Sequence, residues 1–220
     1  MTVIRIVLDY KEALTQGLLV TLTLSAVVWC AGISLGILSG TYAHKQKDAG
    51  HILKALSFLL SSIPILVLLF WLHYPLQEML GVVLYPFFTA AFALSLINIV
   101  LIAQIVRDVL DEFPSEYITA GKVCGLTGRE ILIKIQFPII FRQLIPQLLS
   151  IQVQMLQMTL FASLISVEEL FRVAQQINSM IYKPIEVYTA LAFFFIAICL
   201  PLNLLSSHLK GRYTRNLSEK

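Results

Sequence analysis

FPSEYITAGKVCGLTGREILIKIQFP, residues 113–138, is the stretch around which the rest of the chain is arranged. It lies between two long apolar runs and is the largest charged island in a hydrophobic sequence. Pro114 and Ser115 supply a stop and a cap, which predicts a helix from about Glu116. Gly125, with Gly128 soon after, interrupts that helix, so the chain turns and restarts before Pro138. Ala120, Val123, Cys124 and Leu126 can form one apolar face, leaving Lys122, Arg129 and Lys134 to solvent. A short amphipathic helix-turn-helix held beside a membrane suits docking into a groove of a soluble partner. An ordinary surface helix between two spans is the plainer alternative.

The setting of that stretch follows from composition. Of 220 residues, 58% are hydrophobic and only 13% charged, and the mean hydropathy is +0.82. Soluble domains carry about a quarter charged residues, so these values describe an all-α integral membrane protein. Residues 13–43, 79–106, 143–167 and 187–207 contain no Asp, Glu, Lys or Arg, and a bilayer crossing needs roughly 20 such residues. A fifth run, 55–77, is interrupted only by His73. The expectation is five spans, near 15–43, 55–73, 87–107, 143–165 and 187–207, in a membrane domain covering 15–210. Residues 1–14 precede it as an amphipathic lead lying at the membrane surface, and 211–220 follow as a basic tail. The amino-terminal order of residues does not match a cleavable signal peptide. Cys30, Cys124 and Cys199 show no metal or redox spacing, and the net charge of +3 is too small to suggest nucleic acid.

Within the spans, polar and small residues mark where protein rather than lipid must be met. Gly32, Gly36 and Gly40 form a stripe that allows another helix backbone close approach, in this subunit or a second one. Ser57, Ser61, Ser62 and Pro64 predict a kink beside a cavity, because the proline leaves a carbonyl unpaired that hydroxyls can satisfy. Asn98 needs a protein partner or a water-filled path, since an unpaired buried amide costs several kcal/mol, on the order of 2–7. Gln147, Gln154 and Gln157 can share one face of the fourth span, near Thr159, while Gln152 points elsewhere. Lipid rejects such a face, so it lines a subunit interface or a cavity. Residues 166–184 repeat Leu170, Val173, Ala174, Ile177 and Ile181 at helical steps, predicting a partly embedded amphipathic helix.

Lysine and arginine assign the sides. With the amino terminus outside, inner segments 44–54, 107–142 and 206–220 hold 3, 5 and 4 of them, and the outer segments hold 2, 0 and 2. That bias places the 113–138 stretch and the carboxyl terminus in the cytoplasm. No G-x-x-x-x-G-K-[ST] loop and no paired intramembrane carboxylates occur, so neither a phosphate site nor a proton relay is encoded. Five spans are few for a self-contained transporter, which commonly needs two repeats. The residues therefore describe half a pathway, with energy entering from a bound partner.

Several motifs carry a family resemblance. Thr119-Ala120-Gly121, Gly125 four residues on and Phe137-Pro138 resemble the Glu-Ala-Ala, three residues, Gly loop of ABC importer permeases, with Thr119 for Glu and Gly121 for Ala. Gln16-Gly17-Leu18-Leu19-Val20-Thr21-Leu22 is similar to that family's Gly-x-x-x-Thr-Leu opening. Ala93-Leu94-Ser95-Leu96-Ile97-Asn98, Ala103-Gln104-Ile105-Val106-Arg107 and Leu156-Gln157-Met158-Thr159-Leu160-Phe161-Ala162-Ser163 resemble further family stretches, the last without its two charges. Val167-Glu168-Glu169-Leu170-Phe171-Arg172-Val173-Ala174-Gln175 also falls in the family frame.

The resemblance, to the polar amino-acid subfamily of type I importers, implies a permease subunit and no enzyme activity. It implies that Thr119, Ala120, Gly121, Gly125 and Leu126 couple to an ATPase, and that Ser61, Asn98, Gln154, Gln157 and Thr159 belong to a translocation path. It further implies ABC ATPase subunits that bind ATP and magnesium, with no cofactor in this chain. A second permease copy or paralogue, an extracytoplasmic solute-binding protein and a multi-pass position in the bacterial inner membrane are implied too. A non-transporting membrane scaffold is the alternative of a different class. It would need no continuous polar path.

Overall fold

Inside a bilayer each backbone N–H and C=O must find a partner within the chain, so uninterrupted apolar runs fold as helices. The computed structural model describes residues 2–214, and every regular element among them is helical. In order these are α1 (Val3–Asp9), α2 (Lys11–Lys45), α3 (Lys47–Ser62), α4 (Ile65–His73), α5 (Pro75–Leu80) and α6 (Pro86–Asp111). There follow α7 (Ser115–Val123), α8 (Gly128–Ile131), a π-turn (Leu132–Gln136), α9 (Phe137–Met158), a 3-10 segment (Thr159–Ile165), α10 (Leu170–Ile181) and α11 (Pro184–Thr214).

Among the described residues four helical segments are long and apolar enough to cross a membrane, and five when the bent pair Lys47–Ser62 and Ile65–Leu80 counts as one span. The two halves of that pair meet at 93°. Proline explains the break: it disfavours helical geometry in the residue before it. Ile63 is extended (φ −98°, ψ 121°) and Pro64 stands at the N-cap of α4. The expected kink is therefore a full corner.

The core of the bundle is α2 laid against α6, with α9 closing over both. Glycine makes the approach possible. A Cβ on Gly36 would lie 2.7 Å from the Ile102 side chain, and one on Gly40 would lie 2.5 Å from the Ala103 carbonyl. The stripe thus packs within the subunit.

The start of α2 joins α1, α10 and α11 in a second core of Ile6, Leu14, Leu170, Val173, Ala174, Ile177, Val187 and Leu191. The amphipathic helix expected over 166–184 forms α10, held to α2 by the Leu170 N–H donating to Thr21 Oγ1 at 3.0 Å. Glu169 caps it. Its carboxylate accepts from the N–H groups of Phe171 (2.9 Å) and Arg172 (2.7 Å). Burial pushes the Glu169 carboxyl up to about 7, against the pull of those two N–H groups.

One local expectation is corrected. Ser115 is the first helical residue of α7 rather than its cap, because Pro114, with φ fixed near −63°, takes the N-cap position. The break at Gly125 and the restart before Pro138 appear as expected, with α8 beginning at Gly128. α8, the π-turn and α9 run on as one rod, with Pro138 tolerated in the first turn of α9. Of the basic tail, residues 211–214 continue α11, and 215–220 lie outside the described residues.

Candidate functional site

The 113–138 stretch folds into a hairpin whose turn is closed from both sides. At the end of α7, Gly125 adopts a left-handed conformation (φ 77°). Its N–H donates to the Lys122 carbonyl and the Leu126 N–H to the Gly121 carbonyl, each at 3.0 Å. That pair of bonds is the Schellman arrangement, which satisfies carbonyls orphaned by the helix end. Two residues later Thr127 starts α8 with a reciprocal capping box: its hydroxyl accepts from Glu130 N–H, and its own N–H donates to Glu130 Oε2 at 3.0 Å. The Lys134 ammonium, 2.8 Å away, together with Thr127 N–H and hydroxyl, draws the Glu130 carboxyl down to about 2.

Gly121, in the position where the family pattern has alanine, is buried against the second arm. A Cβ there would meet Ile131 Cγ1 at 2.9 Å and Ile135 Cδ1 at 3.2 Å. α7 packs on α8 and the π-turn, and on no other described helix. Leu126 is half-buried, but Thr119, Ala120, Val123 and Cys124 are exposed, Val123 at 83%. The apolar face read from the sequence is thus open on this subunit.

Along the bundle the polar residues divide into two sets. Asn98 is fully buried: its Nδ2 donates to the Val28 carbonyl (2.9 Å) and to Gln152 Oε1 (3.0 Å), and Gln152 Nε2 donates back at 3.3 Å. The Gln152 carbonyl accepts from Trp29 Nε1 at 3.0 Å. Gly32 makes room for this hub, since a Cβ there would sit 2.1 Å from Asn98 Nδ2. Thr159 is also fully buried, its hydroxyl donating to the Leu156 carbonyl where α9 tightens into the 3-10 segment.

The other set faces outward. Gln147, Ser150, Gln154 and Gln157 are all exposed and recur at helical steps, so α9 carries a neutral polar stripe on its open side. Ser61, at the corner of the bent pair, is exposed as well. The structure brings Gln154 and Gln157 onto one face and keeps Asn98 and Thr159 inside the wall behind it. The roles of Gln152 as partner of Asn98, and of Trp29 as partner of the Gln152 carbonyl, were missed in the sequence, where the only signal was that Gln152 fell off the amide face.

A match spanning residues 32–215 to the family described as "Binding-protein-dependent transport system inner membrane component" decides the family. The chain belongs to it. Among permeases of this kind, the L-cystine transport system permease protein TcyB of Bacillus subtilis is 27% identical over 96% of this chain and 91% of its own length. The glutamine transport system permease protein GlnP of Escherichia coli is 26% identical over 90% of this chain and 92% of its own length. A solved structure described as an amino acid ABC transporter with histidines superposes with a TM-score of 0.82 at 21% identity, covering 93% of this chain and 96% of that one. The inward-facing MetNI methionine ABC transporter gives 0.72 at 19% identity, covering 93% and 98%. The permease fold seen here is therefore that of ABC importer transmembrane subunits, inner-membrane proteins that are not themselves enzymes.

Proposed function

We propose that this permease carries polar amino acids or a similar small solute, residues 15–210 forming its transmembrane domain within an ATP-driven importer. The observation that carries the reading is the hairpin: α7 rests only on its own second arm and leaves Ala120, Val123 and Cys124 uncovered. A soluble ATPase subunit, which binds ATP and magnesium, covers that face and contacts Thr119, Ala120, Gly121, Gly125 and Leu126. A second permease copy or paralogue meets the amide stripe, and a solute-binding protein delivers cargo on the outer side, near α10. The lysine and arginine bias supports an outside amino terminus and a cytoplasmic hairpin.

Gln154, Gln157 and Ser61 line the path directly in this reading, while Asn98 and Thr159 act from inside its wall. Gln154→Leu with Gln157→Leu is the test. Both side chains are exposed on the subunit, so folding and ATPase binding persist while uptake of labelled glutamine or cystine falls at least about tenfold. Undiminished uptake would contradict the path, and undiminished membrane assembly with no uptake in the unaltered complex would favour the scaffold.

A further inference from the structure

The coupling hairpin has a mechanical difficulty. Among the described helices α7 packs only on α8 and the π-turn, so its displacement enters backwards through residues 112–114 into α6, or forwards through that second arm into α9. On the backward route the foot of α6 is tied by hydrogen bonds to two other elements, α2 and α3. Asp111 Oδ2 lies 3.2 Å from Arg107 Nε, and Asp111 Oδ1 lies 2.5 Å from Nδ1 of His44 in the last turn of α2. Arg107 Nη1 then reaches across to the Gly50 carbonyl, 2.7 Å away in the first turn of α3.

Gly50 is shaped to this guanidinium. A Cβ there would lie 2.9 Å from Arg107 Cζ and 3.1 Å from the Ala43 carbonyl. The elbow between α2 and α3, where Gln46 is extended (φ −119°, ψ 115°), is thereby closed onto the end of α6. From that elbow α3 runs to Ser57, whose hydroxyl bonds Gln104 on α6, and on to the 93° corner.

We propose that Arg107, Asp111 and His44 form a transmission joint, which passes displacement of the coupling hairpin at the foot of α6 into the α2–α3 elbow and so into the bent second span. Asp111 is its positioning residue: its charge, 3.2 Å from Arg107 Nε, orients the guanidinium whose Nη1 donates to the Gly50 carbonyl. The proposal rests on the importer reading above.

The experiment uses the complete importer in liposomes, permease with its ATPase and loaded binding protein, and reads ATP hydrolysed per solute imported. Asp111→Asn keeps shape and loses charge, and Arg107→Lys keeps charge and loses the fork. A coupling element of ordinary strength shifts such equilibria roughly 5–150-fold. The expected result is a ratio raised about tenfold by D111N and less by R107K, with assembled complex and ATPase rate within about twofold of the unaltered protein. An unchanged ratio in D111N overturns the joint, including the case in which uptake and ATPase fall together. Should D111N fail to assemble, the same ratio in His44→Gln decides. Absence of ATP-driven uptake in the unaltered complex would instead overturn the importer reading.

Discussion

Asn98 shows how one side chain settles helix packing inside a membrane. Its amide satisfies a carbonyl on α2 and an amide on α9 at once, and the glycine facing it leaves no spare volume. Interhelical hydrogen bonds of this kind are worth about 0.6–2 kcal/mol each, so tight packing contributes as much as polarity. Gly32→Ala should therefore destabilise the detergent-solubilised permease by about 1–3 kcal/mol through overpacking, read as a lower Tm; an unchanged Tm would contradict the hub. Glu169 gives a pH-dependent counterpart. Its ordinary value is 4.5 and burial lifts it to about 7, so the folded chain holds the proton more tightly than the unfolded one. Its stabilising contribution is full below about pH 4.5 and is lost as pH rises to about 7. Glu169→Gln should flatten that part of a Tm-against-pH profile; an unaltered slope would contradict it.

The hairpin and the broken second span show what is legible at the level of elements. Gly125 and Thr127 announced a stop and restart, because left-handed turns and capping boxes are written in local residue chemistry. The corner at Pro64 was legible for the same reason, though its 93° angle was not, since packing against neighbours sets it. The π-turn over Leu132–Gln136 that joins α8 to α9 was hidden, because such a turn has no sequence signature. The Asn98–Gln152 pairing and the Asp111 cluster were also hidden, being contacts between residues 54 and 67 positions apart that only the assembled bundle creates. Gly125→Val would force a β-branched side chain into φ 77°, a cost of roughly 1–2 kcal/mol. Co-purification with the ATPase should be lost while membrane insertion persists. Retained co-purification would contradict the hairpin's role.

At the scale of the whole molecule, the amide stripe on α9 and the open face of α7 are the two surfaces a lone subunit leaves unfinished. Both are explained if the permease is half of a gated path driven from outside its own chain. Transport energy then comes only from a partner, biasing one arrangement of the spans over another. The most direct measurement is solute accumulation in liposomes holding either the permease alone or the permease with its ATPase and binding protein. The account predicts uphill uptake only in the second case and only with ATP on the hairpin side. Uphill uptake by the permease alone on an ion gradient, with no nucleotide, would contradict it.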